Sequence, residues 1–328
     1  MHHQWVDLYG QAVAQEYADF AEQWAAGASP VFHEWALKVA GDGEVLALLE
    51  ALPEVKRQPN LVFAAARWHG AEPGPYDGLR RVLLGQWDDV RETVLARSTQ
   101  TNEVARCATL LPALGLVPGP LALVEVGPSA GLCLYPDRYS YRWSDGRRLD
   151  PSDGPSRVVL DCEVSGPAPL PARLPEVVWR AGIDLNPLDV RDEDAMAWLR
   201  QLVWPGQEER LPRLAAAVEL AGEDPPHLVR GDLLSGLPDL LAEAPSGATV
   251  VVQHSVVIAY LVPEDRRRFG AMMRELVSGG VHWVANEPPV VLPSVTGAVQ
   301  PPRNHFVLGL DGEAVAWTHP HGRSITWL

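Results

Sequence analysis

From Trp5 to about Leu114, apolar residues recur three and four positions apart with almost no strict alternation, the spacing of amphipathic helices. Tyr9, Val13, Tyr17, Phe20 and Trp24 fall on one helical face, and Gly27 with Pro30 marks its end. Further helical runs cover residues 31–39, 44–52, 59–68, 76–96 and 102–114. Ser98, Thr99 and Thr101 are the N-cap candidates of the last run, and Gly115 is its stop.

At Leu121 the pattern changes. Short β-rich runs at 121–126, 177–183, 227–230, 249–252 and 281–285 alternate with helical intervals at 192–220, 237–244 and 263–277. Strands alternating with helices predict right-handed crossovers and a Rossmann-like, mostly parallel α/β sheet. The tail, with runs at 305–310, 314–317 and 324–327 around an Asp311-Gly312 turn, predicts an antiparallel hairpin and one more strand. Residues 135–176 interrupt the alternation with runs at 139–143 and 158–164 around a Ser144-Asp145-Gly146 turn. They read as an inserted β-hairpin, placed to cover the ligand edge as a lid. The expected division is a helical region, 1–115, followed by an α/β domain, 116–328.

Composition adds exclusions. The 328 residues carry 27 basic and 42 acidic side chains, a net charge of −15, and a pI near 5.1. Phosphate-backbone binding needs an excess of basic charge, so a nucleic-acid partner is not expected. Three cysteines without metal spacing predict neither a disulfide scaffold nor a zinc site. No signal-peptide layout and no apolar run of about 18 residues is visible, so the expectation is a cytoplasmic protein without a membrane partner.

The first strand-to-helix turn carries the most chemistry. Leu123-Val124-Glu125-Val126-Gly127-Pro128-Ser129-Ala130-Gly131-Leu132 is an apolar strand, an acid near its end, and a glycine-spaced turn. Gly127 and Gly131 let backbone approach a ligand closely. Glu125 favours a cationic or hydroxyl-rich part of that ligand. The second strand ends in Asp184, where an acid takes ribose hydroxyls, and the third in Asp232. Helix capping alone would explain one such acid, but three in register beside a glycine turn favour a nucleoside-type site. His254, ending the fourth strand, and Glu287, after the fifth, are candidates for general base and orienter. A hydrogen-bonded structural histidine is the competing reading. Asn102, Glu103 and Asn286 are candidates for substrate contacts, since a helix antiparallel to the first strand returns its start to the ligand edge. His319-Pro320-His321 lacks the helical His-x-x-x-His or finger spacing, so no metal is expected. Ser255, beside His254, lacks a nucleophile-elbow context.

Glu125-x-Gly127-x-x-x-Gly131 followed by Asp184 and Asp232 resembles the class I S-adenosylmethionine-dependent methyltransferases. That resemblance implies the glycine turn against the methionine part, Asp184 on the ribose and Asp232 at the adenine edge. Several blocks resemble more specifically a bacterial family known as domain of unknown function 2332. They are Gln100-Thr101-Asn102-Glu103, Glu125-Val126-Gly127, Asp184-Leu185-Asn186-Pro187, Val203-Trp204-Pro205-Gly206-Gln207, His254-Ser255-Val256-Val257 and His319-Pro320-His321-Gly322-Arg323. The combined expectation is a methyltransferase using S-adenosylmethionine on a small-molecule acceptor. The alternative is a non-catalytic nucleoside-binding or interaction protein that kept the fold. Pro128, which removes one N–H from the turn, and the absence of a recognisable acceptor motif favour that alternative, while the strand-end acids and His254 favour an enzyme.

Overall fold

Helices α1 (Val13–Phe20), α2 (Pro30–Ala40), α3 (Gly43–Glu50), α4 (Pro59–Trp68), α5 (Tyr76–Gly85) and α6 (Trp87–Ala96) fill the front of the chain in a computed structural model. The structure describes residues 12–100, 102–296, 301–302 and 304–328; Tyr9 and Thr101 lie outside these residues. Local chemistry sets the helix ends. Ser29 accepts from the Phe32 N–H ahead of Pro30 at the first helical position, and Asp42 caps α3. The helical face expected through Trp24 holds only as far as Phe20. Residues Ala21–Ala25 form a π-helical turn, with Ala26 N–H donating to Ala21 O at 2.9 Å. The extra residue per turn rotates the face, so Ala21 and Ala25 are buried and Trp24 is exposed.

Two units divide the chain. The first comprises residues 1–101 and 194–212. Its core is a set of edge-on aromatic rings, with Phe63 5.1 Å from Phe32 and 5.5 Å from Trp35. Trp198 Nε1 donates to Ser98 O at 2.9 Å, and Arg67 reaches the carbonyls of Gln201 and Val203. Ser98 therefore accepts through its carbonyl, and the Thr99 hydroxyl donates to Gln58 rather than capping a helix.

The second unit comprises residues 102–193 and 213–328. It contains α7 (Arg106–Leu114), which starts four residues later than its pattern suggests. Every residue of α7 is buried, the signature of a helix inside a layer rather than on a surface. It packs against the sheet, so the 115/116 boundary read from the sequence falls inside this unit.

Among the described residues the sheet has eleven strands: β1 (Leu121–Val126), β2 (Ser140–Trp143), β3 (Arg148–Leu149), β4 (Val159–Ser165), β5 (Val177–Asp184), β6 (His227–Arg230), β7 (Thr249–Ser255), β8 (His282–Glu287), β9 (Phe306–Leu310), β10 (Glu313–Thr318) and β11 (Ser324–Trp327). Their spatial order is β3-β2-β4-β11-β10-β9-β8-β7-β1-β5-β6. Strands β6, β5, β1, β7 and β8 are mutually parallel, and β8 to β11 form an antiparallel meander. From β1 the chain builds outward through β5 and β6, then returns to the other side for β7 and β8. The reversal lies at the carboxyl ends of β1 and β7, the place where open α/β sheets generally bind ligands.

The insertion differs from the expected hairpin. Only β2 and the two-residue β3 pair antiparallel, while β4 runs parallel to both β2 and β11. It extends the sheet at its far end, so the expected lid is instead three further strands. Helices α8 (Glu193–Gln201) and α9 (Arg210–Glu223) follow β5, and α10 (Leu233–Ala242) and α11 (Pro263–Ser278) follow β6 and β7. Leu237 and Leu240 of α10 and Phe269 and Met273 of α11 bury against Val124, Val252 and Trp283 of the sheet. No helix among the described residues is long and apolar enough to cross a membrane.

Candidate functional site

The turn after β1 takes a left-handed backbone at alternate residues: φ is +67° at Gly127, +54° at Ser129 and +71° at Gly131. Two side chains and two backbone bonds hold it. Asp184 Oδ2 accepts from the Ser129 N–H at 2.9 Å and Oδ1 from the Asn186 N–H at 2.8 Å. Asn102 spans the turn, donating to Pro128 O at 2.8 Å and accepting from the Leu132 N–H at 3.1 Å. The Gly127 N–H donates to Ile183 O and the Gly131 N–H to Pro128 O. The amides expected to greet a ligand are largely spent on the turn itself.

The glycines have internal reasons too. A Cβ on Gly127 would lie 2.2 Å from Val257 Cγ2, and one on Gly131 2.8 Å from Pro226 Cγ. The turn residues Gly127-Pro128-Ser129-Ala130-Gly131 also spell Gly-x-Ser-x-Gly directly after a strand, a spacing the sequence reading did not weigh at this position. A nucleophile serine stands exposed above its sheet. Ser129 is only 4 % exposed, with its N–H given to Asp184.

S-adenosylmethionine, implied by the methyltransferase resemblance, does not fit these residues as they stand. Val257 fills the cradle over Gly127, and both oxygens of Asp184 serve backbone amides. Asp232 is exposed and caps α10, accepting from the Leu234 and Ser235 N–H groups at 3.0 and 3.1 Å. That is the capping role that competed with adenine recognition.

His254, expected as a general base, lies in the core. It is wholly buried, with Nδ1 2.8 Å from Glu287 Oε1, and Trp283 Nε1 donates to its Nε2 at 3.0 Å. An indole N–H only donates, so Nε2 accepts and the proton sits on Nδ1. No nitrogen remains to take a proton from an acceptor. Glu287 Oε1 also accepts from the Val257 and Ile258 N–H groups, so this carboxylate orients the loop after β7 rather than a catalytic base. Asn286, expected on the substrate, is buried between Ser255 Oγ and Thr318 Oγ1.

Glu125 lies opposite Gln253 in the β1–β7 register. Its burial pushes the carboxyl well above the usual range, reinforced by Cys133, with Arg106 partly opposing. Its Oε2 and Gln253 Oε1 have no hydrogen-bond partner among the described residues. The Gln253 side chain opposes the shift more weakly than burial drives it.

Glu103 joins a different group. Its Oε1 accepts from the Ala105 N–H and from Arg213 Nη2, both at 3.1 Å, and its Oε2 lies 3.7 Å from His321 Nδ1. Arg106 Nε donates to Pro320 O at 2.9 Å, and the Gly322 backbone sits so close that a Cβ there would meet Ala105 O at 2.1 Å. Asn102, Glu103, Asn286 and the His254–Glu287 pair are each bonded within the protein, and Arg106, whose Nη1 also reaches Ser255 O at 3.4 Å, links the Glu103 group to the strand end that holds Asn286. Arg106, Arg213 and the joining of the His319–Arg323 turn to Glu103 escaped the sequence reading. Its only trace was two motif blocks more than 200 residues apart, Gln100–Glu103 and His319–Arg323. Among the described residues, no three His, Cys, Asp or Glu side chains converge as a metal site.

A family profile matches residues 14–327, nearly the whole chain. The chain belongs to the family described as uncharacterized protein conserved in bacteria (DUF2332). No curated protein and no solved structure gave a significant match. The family's description carries no activity, so the chemistry of this member has to come from its own residues.

Proposed function

We propose that this DUF2332 protein is a small-molecule-binding protein on a methyltransferase-like, Rossmann-type sheet, and that it does not transfer methyl groups from S-adenosylmethionine. The observation that carries this reading is Val257 seated over Gly127. The cofactor's methionine part would have to displace it. The sealed His254 supports the same reading, because the one histidine placed like a base has both nitrogens engaged. A second reading, an S-adenosylmethionine-dependent enzyme whose 256–260 segment swings away, draws on the left-handed backbone at 127, 129 and 131 and on Asp184 beside it. Equilibrium dialysis with methyl-labelled S-adenosylmethionine separates the two. The binding-protein reading expects no retention at millimolar cofactor. Saturable retention would replace it with the enzyme reading.

A further inference from the structure

The inserted strands carry a cleft of their own. Where β4 runs between β2 and β11, a cleft of about 310 Å³ is lined by Arg142, Trp143 and Ser144 from the end of β2, by Asp161, Cys162 and Glu163 of β4, and by Arg323 ahead of β11. That is the lower end of the size range of small-molecule pockets. Strand register builds it. Arg142 opposes Asp161 across β2 and β4, and the two close a fork, with Nε–Oδ1 and Nη2–Oδ2 both at 2.8 Å. Glu163, two residues further along β4, shares the Asp161 face and is exposed. Two arginines and two acids line the cleft, so their formal charges cancel.

Its hydrogen-bonding capacity is only partly used. Trp143 is 5 % exposed and stacks on Tyr141, with ring centres 5.7 Å apart and planes at 10°. Its Nε1 nevertheless donates to no group among the described residues, although a buried indole N–H ordinarily finds an acceptor. Ser144 Oγ accepts from the Val164 N–H at 2.9 Å, which leaves its own hydroxyl hydrogen to donate. The lining therefore supplies two donors, on Trp143 and Ser144, and an exposed acceptor on Glu163. Burial, and then Glu163, push the Cys162 thiol up to about 12, so the cleft holds no thiolate nucleophile.

We propose that this cleft binds a neutral polyhydroxylated ligand, a sugar or a related polyol. A hydroxyl both donates and accepts, so neighbouring hydroxyls of one ligand answer the indole and seryl donors as acceptors and the Glu163 carboxylate as donors. Charge argues for neutrality. An anion entering the cleft would meet Asp161 and Glu163, and a cation would meet Arg142 and Arg323, whereas a neutral ligand meets neither repulsion. The site stands on the inserted strands and not at the Gly127 turn, so it goes beyond the binding-protein reading and does not depend on it.

The test follows the Trp143 indole N–H resonance of the full-length protein, assigned by through-bond connectivities, during separate titrations with D-ribose, D-glucose and ethanolamine at constant pH. A saturable shift with at least one of the two sugars is expected, with the same midpoint at low and high salt because no net charge is brought together. Glu163→Gln, an exposed change that keeps the side chain's shape, should weaken that binding about tenfold, in line with one lost charge-assisted bond. No saturable shift with either sugar, a shift with ethanolamine alone, or undiminished affinity in Glu163→Gln would overturn the site. Equilibrium dialysis with S-adenosylmethionine remains a separate readout, so failure of the polyol site and failure of the binding-protein reading are told apart.

Discussion

At the scale of single residues, the ligand edge is occupied by side chains that serve the protein's own backbone. Asp184 and Asn102 are each spent on two hydrogen bonds to the polypeptide, and His254 is closed off by Glu287 and Trp283. Glu125 gives the sharpest residue-level prediction. Burial raises its folded-state pKa above the unfolded value, so it contributes most to stability below the ordinary carboxylate range and loses that contribution as pH rises. Glu125→Gln keeps the shape and the neutral hydrogen bonding but cannot ionise. Urea denaturation across pH 4 to 8 should show wild type and Glu125→Gln alike near pH 4, with the variant gaining relative to wild type as pH rises. A constant difference across that range would mean that Glu125 is charged in the folded protein.

Elements explain what was legible beforehand and what was not. The parallel strands and the antiparallel tail announced themselves because alternation and turn residues are local properties. The partners of polar strand-end residues are not local. His254 at the end of β7 looks the same in sequence whether it faces a crevice or a core. Period-two alternation does hold a clue: His254 shares a face with Val252, and Val252 lies in the core beneath α10 and α11. Gln253, on the opposite face, points instead toward Cys133 and donates to its carbonyl. Helix α7 was drawn into the front half because its apolar residues have helical spacing, and spacing cannot say which layer a helix joins. The π-helical turn at 21–25 was invisible for a related reason, since one extra residue breaks the assumed period.

The turn after β1 and the loop after β7 behave as one packed unit in this structure, and that is testable at the same scale. Gly127→Ala meets both a left-handed backbone and Val257 at 2.2 Å. It should cost about 2–4 kcal/mol by thermal or chemical unfolding, from strain plus overpacking. Val257→Ala in the same chain should recover part of that loss, leaving the backbone strain. Strictly additive losses in the double variant would show that Val257 does not occupy the space over Gly127.

Over the whole molecule, the second unit is a mixed α/β unit built on a large, mostly parallel sheet, whose strand order reverses at β1 and β7 beside the Gly127 turn that Val257 covers. The family-wide match, covering residues 14–327, embraces both units, so the helical unit belongs to the family's architecture rather than being an addition to it. The amides of the glycine turn are already satisfied by the protein's own groups. Amide hydrogen exchange at Ser129, Gly131 and Leu132, measured with and without saturating S-adenosylmethionine, tests it most directly. A closed turn predicts slow exchange at all three in the free protein and no change on adding the cofactor. Fast exchange in the free protein that slows when S-adenosylmethionine is added would contradict it.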